Sequence, residues 1–277
     1  MTIDQFLYEH PVFRYEEFIA WKTQKGKIKA SSVNTALRYF IKTGRIKLIR
    51  RKLYAAIPPN QTAESLTVDS YLIAGKATED AVLSYHTALE LMGIAYSTFG
   101  QFSYLTQQKS KPFEFNGQWY QSVSVPKALQ KIPDPWVGVT LMNRQGVMLK
   151  VTNAERTFVD VLDRIELSGG WEEVCRSIAN MAVLNIEEVI RYCLMLKNAC
   201  LNAKVGYFLS QRQGAFAVSE KQLKPLLAAK PKIPQHASKA GHESFQLIKP
   251  WNILLPVFVV NQSWVEHYAN MPMNHAD

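Results

Sequence analysis

Residues 31–58, SSVNTALRYFIKTGRIKLIRRKLYAAIP, change period halfway along. Val33, Leu37, Phe40 and Ile41 fall at i, i+4, i+7 and i+8, the apolar stripe of a helix with one buried face. Ser31 or Ser32 can cap its start, because a hydroxyl accepts from the free N–H groups of a first turn. Gly44 ends it where a left-handed residue is wanted. Beyond Gly44 the period falls to two. Ile46 and Leu48, then Leu53, Ala55 and Ile57, read as two strands around a turn at 50–52. Five cations, Arg45, Lys47, Arg50, Arg51 and Lys52, crowd into this hairpin.

Two further helices are expected upstream. Residues 3–9 carry Ile3, Phe6 and Leu7 and are broken by Pro11. Residues 14–24 carry Phe18, Ile19 and Trp21, with Gly26 as the stop. Three helices and a hairpin in under sixty residues is the layout of a winged helix-turn-helix, whose third helix enters the major groove while the wing touches the DNA backbone or minor groove. Charge points the same way. Residues 1–57 hold twelve Lys and Arg against four acids, a net +8 of the chain's +9. A basic module joined to a near-neutral body fits a polyanionic partner.

The remaining composition excludes several classes. With 47% hydrophobic and 20% charged residues, the chain is globular, not disordered. No basic start with an apolar core marks a secretory signal, and the longest apolar run, ILLPVFVV at 253–260, is too short to span a bilayer. Three cysteines, Cys175, Cys193 and Cys200, in no metal or disulfide spacing, fit a reducing cytoplasm. Pro58-Pro59-Asn60-Gln61 reads as a linker. Helices are then expected at 67–77 and 85–92, a strand at 101–107, a hairpin within 112–121 that turns at Asn116-Gly117, and a second hairpin of 136–143 and 147–152 around 144–146. From 153 the pattern turns helical: 153–166, 170–182, 185–198, 200–211 and 219–229. The segment 230–242 reads as a mobile surface loop, and 252–260 closes the core. The expected fold class is α+β, with a winged helix-turn-helix at 1–57, a linker at 58–61 and a larger mixed α+β domain at 62–277.

Residues off the apolar stripe of the third helix are Ser32, Asn34, Thr35, Arg38, Tyr39 and Lys42. Arg forks onto guanine, Asn pairs with adenine, and hydroxyls reach bases or phosphates. Arg45, Lys47, Arg50, Arg51 and Lys52 suit phosphates or a minor groove. The competing reading is an ordinary solvated basic face, and the agreement of charge, helix and hairpin position favours DNA over it. A metal nuclease is not supported: Pro133-Asp134 lacks a downstream Glu-x-Lys, and Asp160 pairs more simply with Arg156 and Arg164 at i, i+4 spacing. The six histidines lie in no zinc spacing, no serine sits in G-x-S-x-G, and no phosphate-cradling glycine loop occurs. His86 reads as a packing or capping residue, and Cys175 as a buried small apolar one. No catalytic residue, metal or cofactor is expected.

Several blocks resemble the AbiEi family of antitoxins, the repressor partners of type IV toxin–antitoxin modules. GRIKLIRRKLYAAIP (44–58) is similar to that family's wing, and YLIAGKATEDAVLSYHTALELMGI (71–94) to the element that follows it. KVTNAERTFVDVLDRIELSGGWEEV (150–174) resembles the family's T-x-x-E-R-T segment, and NAKVGYFL (202–209), with Gly206, a further block. One departure is Lys52, where the family wing usually has glycine at a tight tip. The resemblance implies a non-enzymatic cytoplasmic autorepressor that binds promoter inverted repeats as a monomer or a weakly cooperative oligomer. It also implies a C-terminal domain that counters a nucleotidyltransferase toxin without requiring a stable complex, and a role in phage defence or mobile-element maintenance. The alternatives are a winged-helix regulator that senses a ligand or partner with no toxin, and, behind it, a nucleic-acid-processing enzyme.

Overall fold

The computed structural model describes residues 1–24, 29–212, 216–238 and 244–263. The fold is mixed α+β, and the chain divides into two compact units. One comprises Met1–Ala88, Phe99–Val125 and Val139–Thr152; the other comprises Leu89–Thr98, Pro126–Gly138 and the chain from Asn153. The units do not follow a division at 58–61, since the first 57 residues share their unit with a large part of the expected second domain.

The first unit begins with α1 (Ile3–Glu9), β1 (Val12–Arg14), α2 (Tyr15–Thr23), α3 (Ala30–Lys42), β2 (Ile46–Arg50) and β3 (Leu53–Ala56). The three strands form an antiparallel sheet in the order β1-β3-β2. Strand β1 was not visible to periodicity. Three residues carry no readable alternation, yet Val12, Phe13 and Arg14 pair with Ala55, Tyr54 and Leu53. One sheet face and the helices enclose Phe6, Leu7, Phe13, Phe18, Val33, Leu37 and Ile46. Phe6 stands edge-on to Phe13 and Phe18, with centroids 5.2 and 5.7 Å apart, a geometry that adds to the area these rings bury.

Two local expectations fail at α3. The helix starts at Ala30 with Lys29 in the cap position and no side-chain cap, so Ser31 and Ser32 lie inside the first turn. Ile41 is 39% exposed because it overhangs the end of a small core. Gly44 takes a left-handed φ of +68°, as anticipated. The expected stop at Gly26 lies outside the described residues.

The other face of the small sheet is also covered. Ala55 and Ile57 pack with Leu66, flanked by Ile49, Ala63 and Val68, so 58–68 is a fitted strap. Beyond it come α4 (Ser70–Lys76), β4 (Val82–Leu83), α5 (His86–Leu91), β5 (Gln101–Thr106), β6 (Phe113–Phe115), β7 (Gln118–Ser124), β8 (Val139–Arg144) and β9 (Val147–Thr152). Strands β4 to β9 make one six-stranded mixed sheet in the order β6-β7-β5-β4-β9-β8. Both sequence-predicted hairpins form, with left-handed pairs at their tips: Asn116 and Gly117, and Gln145 and Gly146. Two consecutive positive φ angles give the turn whose twist matches paired strands. The two-residue β4 joins the hairpins, pairing antiparallel with β5 and parallel with β9. Gly75 lets α4 lie close over β9, where an added Cβ would press on Leu149.

The second unit carries α6 (Ala154–Asp163), α7 (Trp171–Ala179), α8 (Ile186–Met195), α9 (Ala199–Ser210) and α10 (Glu220–Ala228). A small sheet follows, β10 (Gln235–His236), β11 (Phe245–Ile248) and β12 (Ile253–Pro256), in the order β10-β12-β11, then α11 (Val257–Val260). Part of the expected 230–242 loop is therefore strand, with Gln235 opposite Ile253. Residues 239–242 of that loop lie outside the described residues. A Cβ on Gly206 would fall inside the Trp251 indole, which gives the glycine of α9 a packing reason. Among the described residues no helix is long and apolar enough to cross a membrane.

Candidate nucleic-acid interface

The outward face of α3 presents Ser32, Asn34, Thr35, Arg38, Tyr39 and Lys42, all exposed. Each lies off the Val33–Leu37 stripe that fixes the helix to its core. Asn34 accepts a hydrogen bond from Tyr15 Oη at 2.9 Å, and Thr35 Oγ1 donates to Ser31 O at 2.9 Å. Tyr39 is 60% exposed. Arg38 and Lys42 have no anionic partner among the described residues. An open groove of about 820 Å³ runs beside this face, bordered by Lys22, Lys29, Ser32, Thr35 and Tyr39. Lys22 and Lys29 are two of the twelve basic residues of 1–57; their place at the groove depends on how α2 meets α3, which no spacing encodes.

The hairpin cations do not act as one set. Arg45 is paired with Asp4 and lies over the Phe40 ring. Lys47 Nζ donates to Ala63 O at 2.7 Å and sits over Phe115. Arg50 donates to Ala77 O at 2.9 Å, and to Ser110 Oγ and Lys111 O at 3.2 Å each, with its guanidinium 4.4 Å from the Phe113 centroid. Lys52 Nζ donates to Glu16 at 2.8 Å. Arg51 alone of the five is exposed with no partner among the described residues. Strand alternation explains the inward turn of Lys47: Ile46 faces the helical core, so its neighbour must face the strap and β6. Arg50 reaches the same side past a register shift between Leu48 and Arg50.

Lys52 itself adopts the left-handed conformation, φ +67°, at the tip where a glycine is easiest. Its carbonyl accepts from Tyr15 N at 2.9 Å, tying the tip to α2. Burial acts to raise the Glu16 carboxyl, but the Lys52 hydrogen bond, its own backbone N–H and the charges of Lys52 and Arg14 together hold it below the ordinary value. On the same flank Glu17 is bound by Lys76 and accepts from Arg14 N at 2.8 Å. These two acids are thus neutralised by cations that do not face outward with α3.

The second unit holds buried ionisable groups of a different kind. Arg156 and Asp160 are completely or almost completely buried and bonded at 3.1 Å, with Tyr192 Oη donating to Asp160 at 2.7 Å and Arg156 donating to Val137 O at 2.6 Å. The Arg156–Asp160 pairing follows the expected spacing, whereas Arg164 turns to Glu166. Burial pushes Asp163 up, opposed by Lys204, Arg164 and a hydrogen bond from Asn198, and burial pushes Lys204 down. Burial also lifts Cys175 to about 12 and Cys193 well above the usual thiol value, so neither is a ready nucleophile. In the first unit, His86 is buried and packs on Phe99 at 4.2 Å. The bonds that join Arg156, Asp160 and Tyr192 lie within the second unit and read as structural. Among the described residues no three His, Cys, Asp or Glu side chains are grouped as metal ligands would be.

In fold the chain is similar to the crystal structure of the RV2827C protein from Mycobacterium tuberculosis, with a TM-score of 0.57 at 14% identity over 94% of this chain and 92% of that one. At that identity the likeness concerns the fold alone. No protein-family model and no curated protein matches the sequence.

Proposed function

We propose that this chain is a duplex-DNA-binding regulator in which residues 1–57 form a winged helix, α3 reads the major groove and Arg51 at the hairpin tip meets the backbone. The observation that carries this reading is the outward face of α3, where Arg38 and Lys42 stand without anionic partners among the described residues, beside Asn34 and Thr35, on a helix whose opposite face is locked into an aromatic core. Base-reading side chains on a rigid helix flanked by loose cations is what groove recognition requires. The AbiEi-like blocks at 44–58, 71–94, 150–174 and 202–209 support a further proposal. In it the chain represses its own promoter at inverted repeats and counters a nucleotidyltransferase toxin through the remainder of the chain, with no chemistry of its own.

Two experiments test the two parts. A mobility-shift titration with the duplex upstream of the gene should show binding that Arg38→Gln weakens and that loses sequence preference, by about 1–3 kcal/mol if Arg38 reads a base edge. Binding that ignores Arg38 sinks the assignment of α3. Co-expression with the product of the adjacent gene should restore growth if that product is a toxin; regulated transcription without rescue leaves a plain regulator.

A further inference from the structure

The hairpin tip is fastened to a loop of the six-stranded sheet by one side chain. Arg50 donates to Lys111 O and Ser110 Oγ, at 3.2 Å each, while its guanidinium lies over Phe113. The loop between β5 and β6 is also held from its own side. Ser122 Oγ donates to Ser110 O at 2.6 Å, and Tyr104 Oη shares a 2.9 Å hydrogen bond with Ser110 Oγ. Asp80, whose carboxylate lies at the loop, accepts from Thr106 Oγ1 at 2.6 Å and Gln107 N at 2.7 Å. Lys109 and Lys111 flank this pinned serine. Both are exposed, and neither has an anionic partner among the described residues. Beside them lies a recess of about 400 Å³ bordered by Ser122 and Ser124.

We propose that residues 107–111 form a second phosphate-contacting element, continuing the duplex contact from Arg51 at the hairpin tip onto Lys109 and Lys111. Lysine ammonium groups act on phosphates as point charges and carry no base information, so this element extends the footprint without adding sequence preference. Arg50 is a positioning residue: it holds the loop against the hairpin and does not itself meet the duplex. Three of its hydrogen bonds and a ring already occupy the guanidinium. The proposal rests on the reading of α3 as the DNA-contacting helix.

The test is the salt dependence of binding by the full chain to a long mixed-sequence duplex, with Lys109→Gln/Lys111→Gln against wild type. Removing two phosphate contacts should lower the magnitude of the slope of log affinity against log salt by about two, roughly a tenfold smaller loss between about 50 and 200 mM salt, with an unchanged thermal midpoint. Lys221→Gln/Lys224→Gln, an equal charge change on α10, should leave the slope where it was. Arg50→Met, where it folds, should lower the slope by more than the one contact a direct role would remove; where it does not fold, the lysine pair decides. If Arg38→Gln/Lys42→Gln lowers the slope and the loop variant does not, the loop is overturned while the α3 reading stands. If the wild type shows no salt-dependent binding, both fall.

Discussion

Arg51→Gln and Lys52→Gln remove neighbouring charges from one turn, yet the structure predicts that they will differ in binding to duplex DNA. Arg51 is exposed and unpaired among the described residues, whereas the Lys52 ammonium already faces the Glu16 carboxylate at 2.8 Å. Among the described residues, the cations of the α3 face and hairpin that stand without such partners are Lys22, Lys29, Arg38, Lys42 and Arg51. If each neutralises one phosphate, the slope of log affinity against log salt is about −4.5, so a fourfold rise in salt weakens binding roughly 500-fold. With the two loop lysines the slope steepens to about −6. Arg51→Gln should lower its magnitude by about 0.9 and leave affinity some threefold less sensitive over that range. Lys52→Gln removes a charge but releases Glu16, and Arg45→Gln likewise releases Asp4, so their slopes should move much less. Fluorescence anisotropy titrations at four or more salt concentrations would measure these slopes. Equal slope losses for Arg45, Arg51 and Lys52 variants would refute the reasoning, because that is what a uniformly charged hairpin predicts and what in-chain pairing forbids.

Other expectations concern stability. Arg156→Met should cost about 3–5 kcal/mol by leaving Asp160 buried without its cation, while Arg156→Met/Asp160→Leu should cost less than the sum, as read by denaturant unfolding. Gly206→Ala should lose about 1–3 kcal/mol, because the indole of Trp251 is a rigid neighbour that cannot move aside as an aliphatic tip can; an unchanged midpoint would show that α9 and Trp251 are not packed as described. Lys52→Gly should raise the thermal midpoint, since relief of a left-handed residue, about 1–2 kcal/mol, exceeds an exposed ion pair worth about 0.2–1 kcal/mol. Lys52→Ala, which keeps the backbone strain and loses the pair, should lower it. The Asp163 carboxyl is raised by burial, so its contribution is present below its unfolded value and is lost as pH rises through the folded one. Thermal melts of Asp163→Asn should therefore lack part of the wild type's decline in stability as pH rises from the ordinary carboxylate value through the raised one.

How much of this was legible in the sequence follows from the range of the forces involved. The period switch at Gly44, the left-handed turns at Asn116-Gly117 and Gln145-Gly146, and the helices from 154 onward are local, and each depends on residues within one turn or one strand pair. β1 and β4 were not legible, because strands of three and two residues exist only through partners about forty and about twenty or more positions away. The candidate site divides along the same line. Spacing alone fixed which side chains leave the stripe of α3, and all six stand exposed. It could not say which hairpin cations are already engaged, since Asp4, Ala63, Ala77 and Ser110 are between 16 and 60 residues away from the side chains they meet.

That difference alters what the charge of the first 57 residues means. Counted along the chain, the hairpin is a block of five equivalent cations. In the fold, Lys47 and Arg50 face the strap and the six-stranded sheet, Arg45 and Lys52 answer acids on α1 and α2, and only Arg51 remains to meet a partner from outside. Part of the cationic excess therefore holds the small sheet to its neighbours. A duplex that docks on α3 then meets a surface whose orientation is set before binding. On the proposed reading, the strap and the hairpin-facing loop, as much as the hairpin's own charge, would govern how α3 enters a groove. Shortening the strap or loosening Arg50 should accordingly change which sequences are preferred less than how tightly any duplex is held.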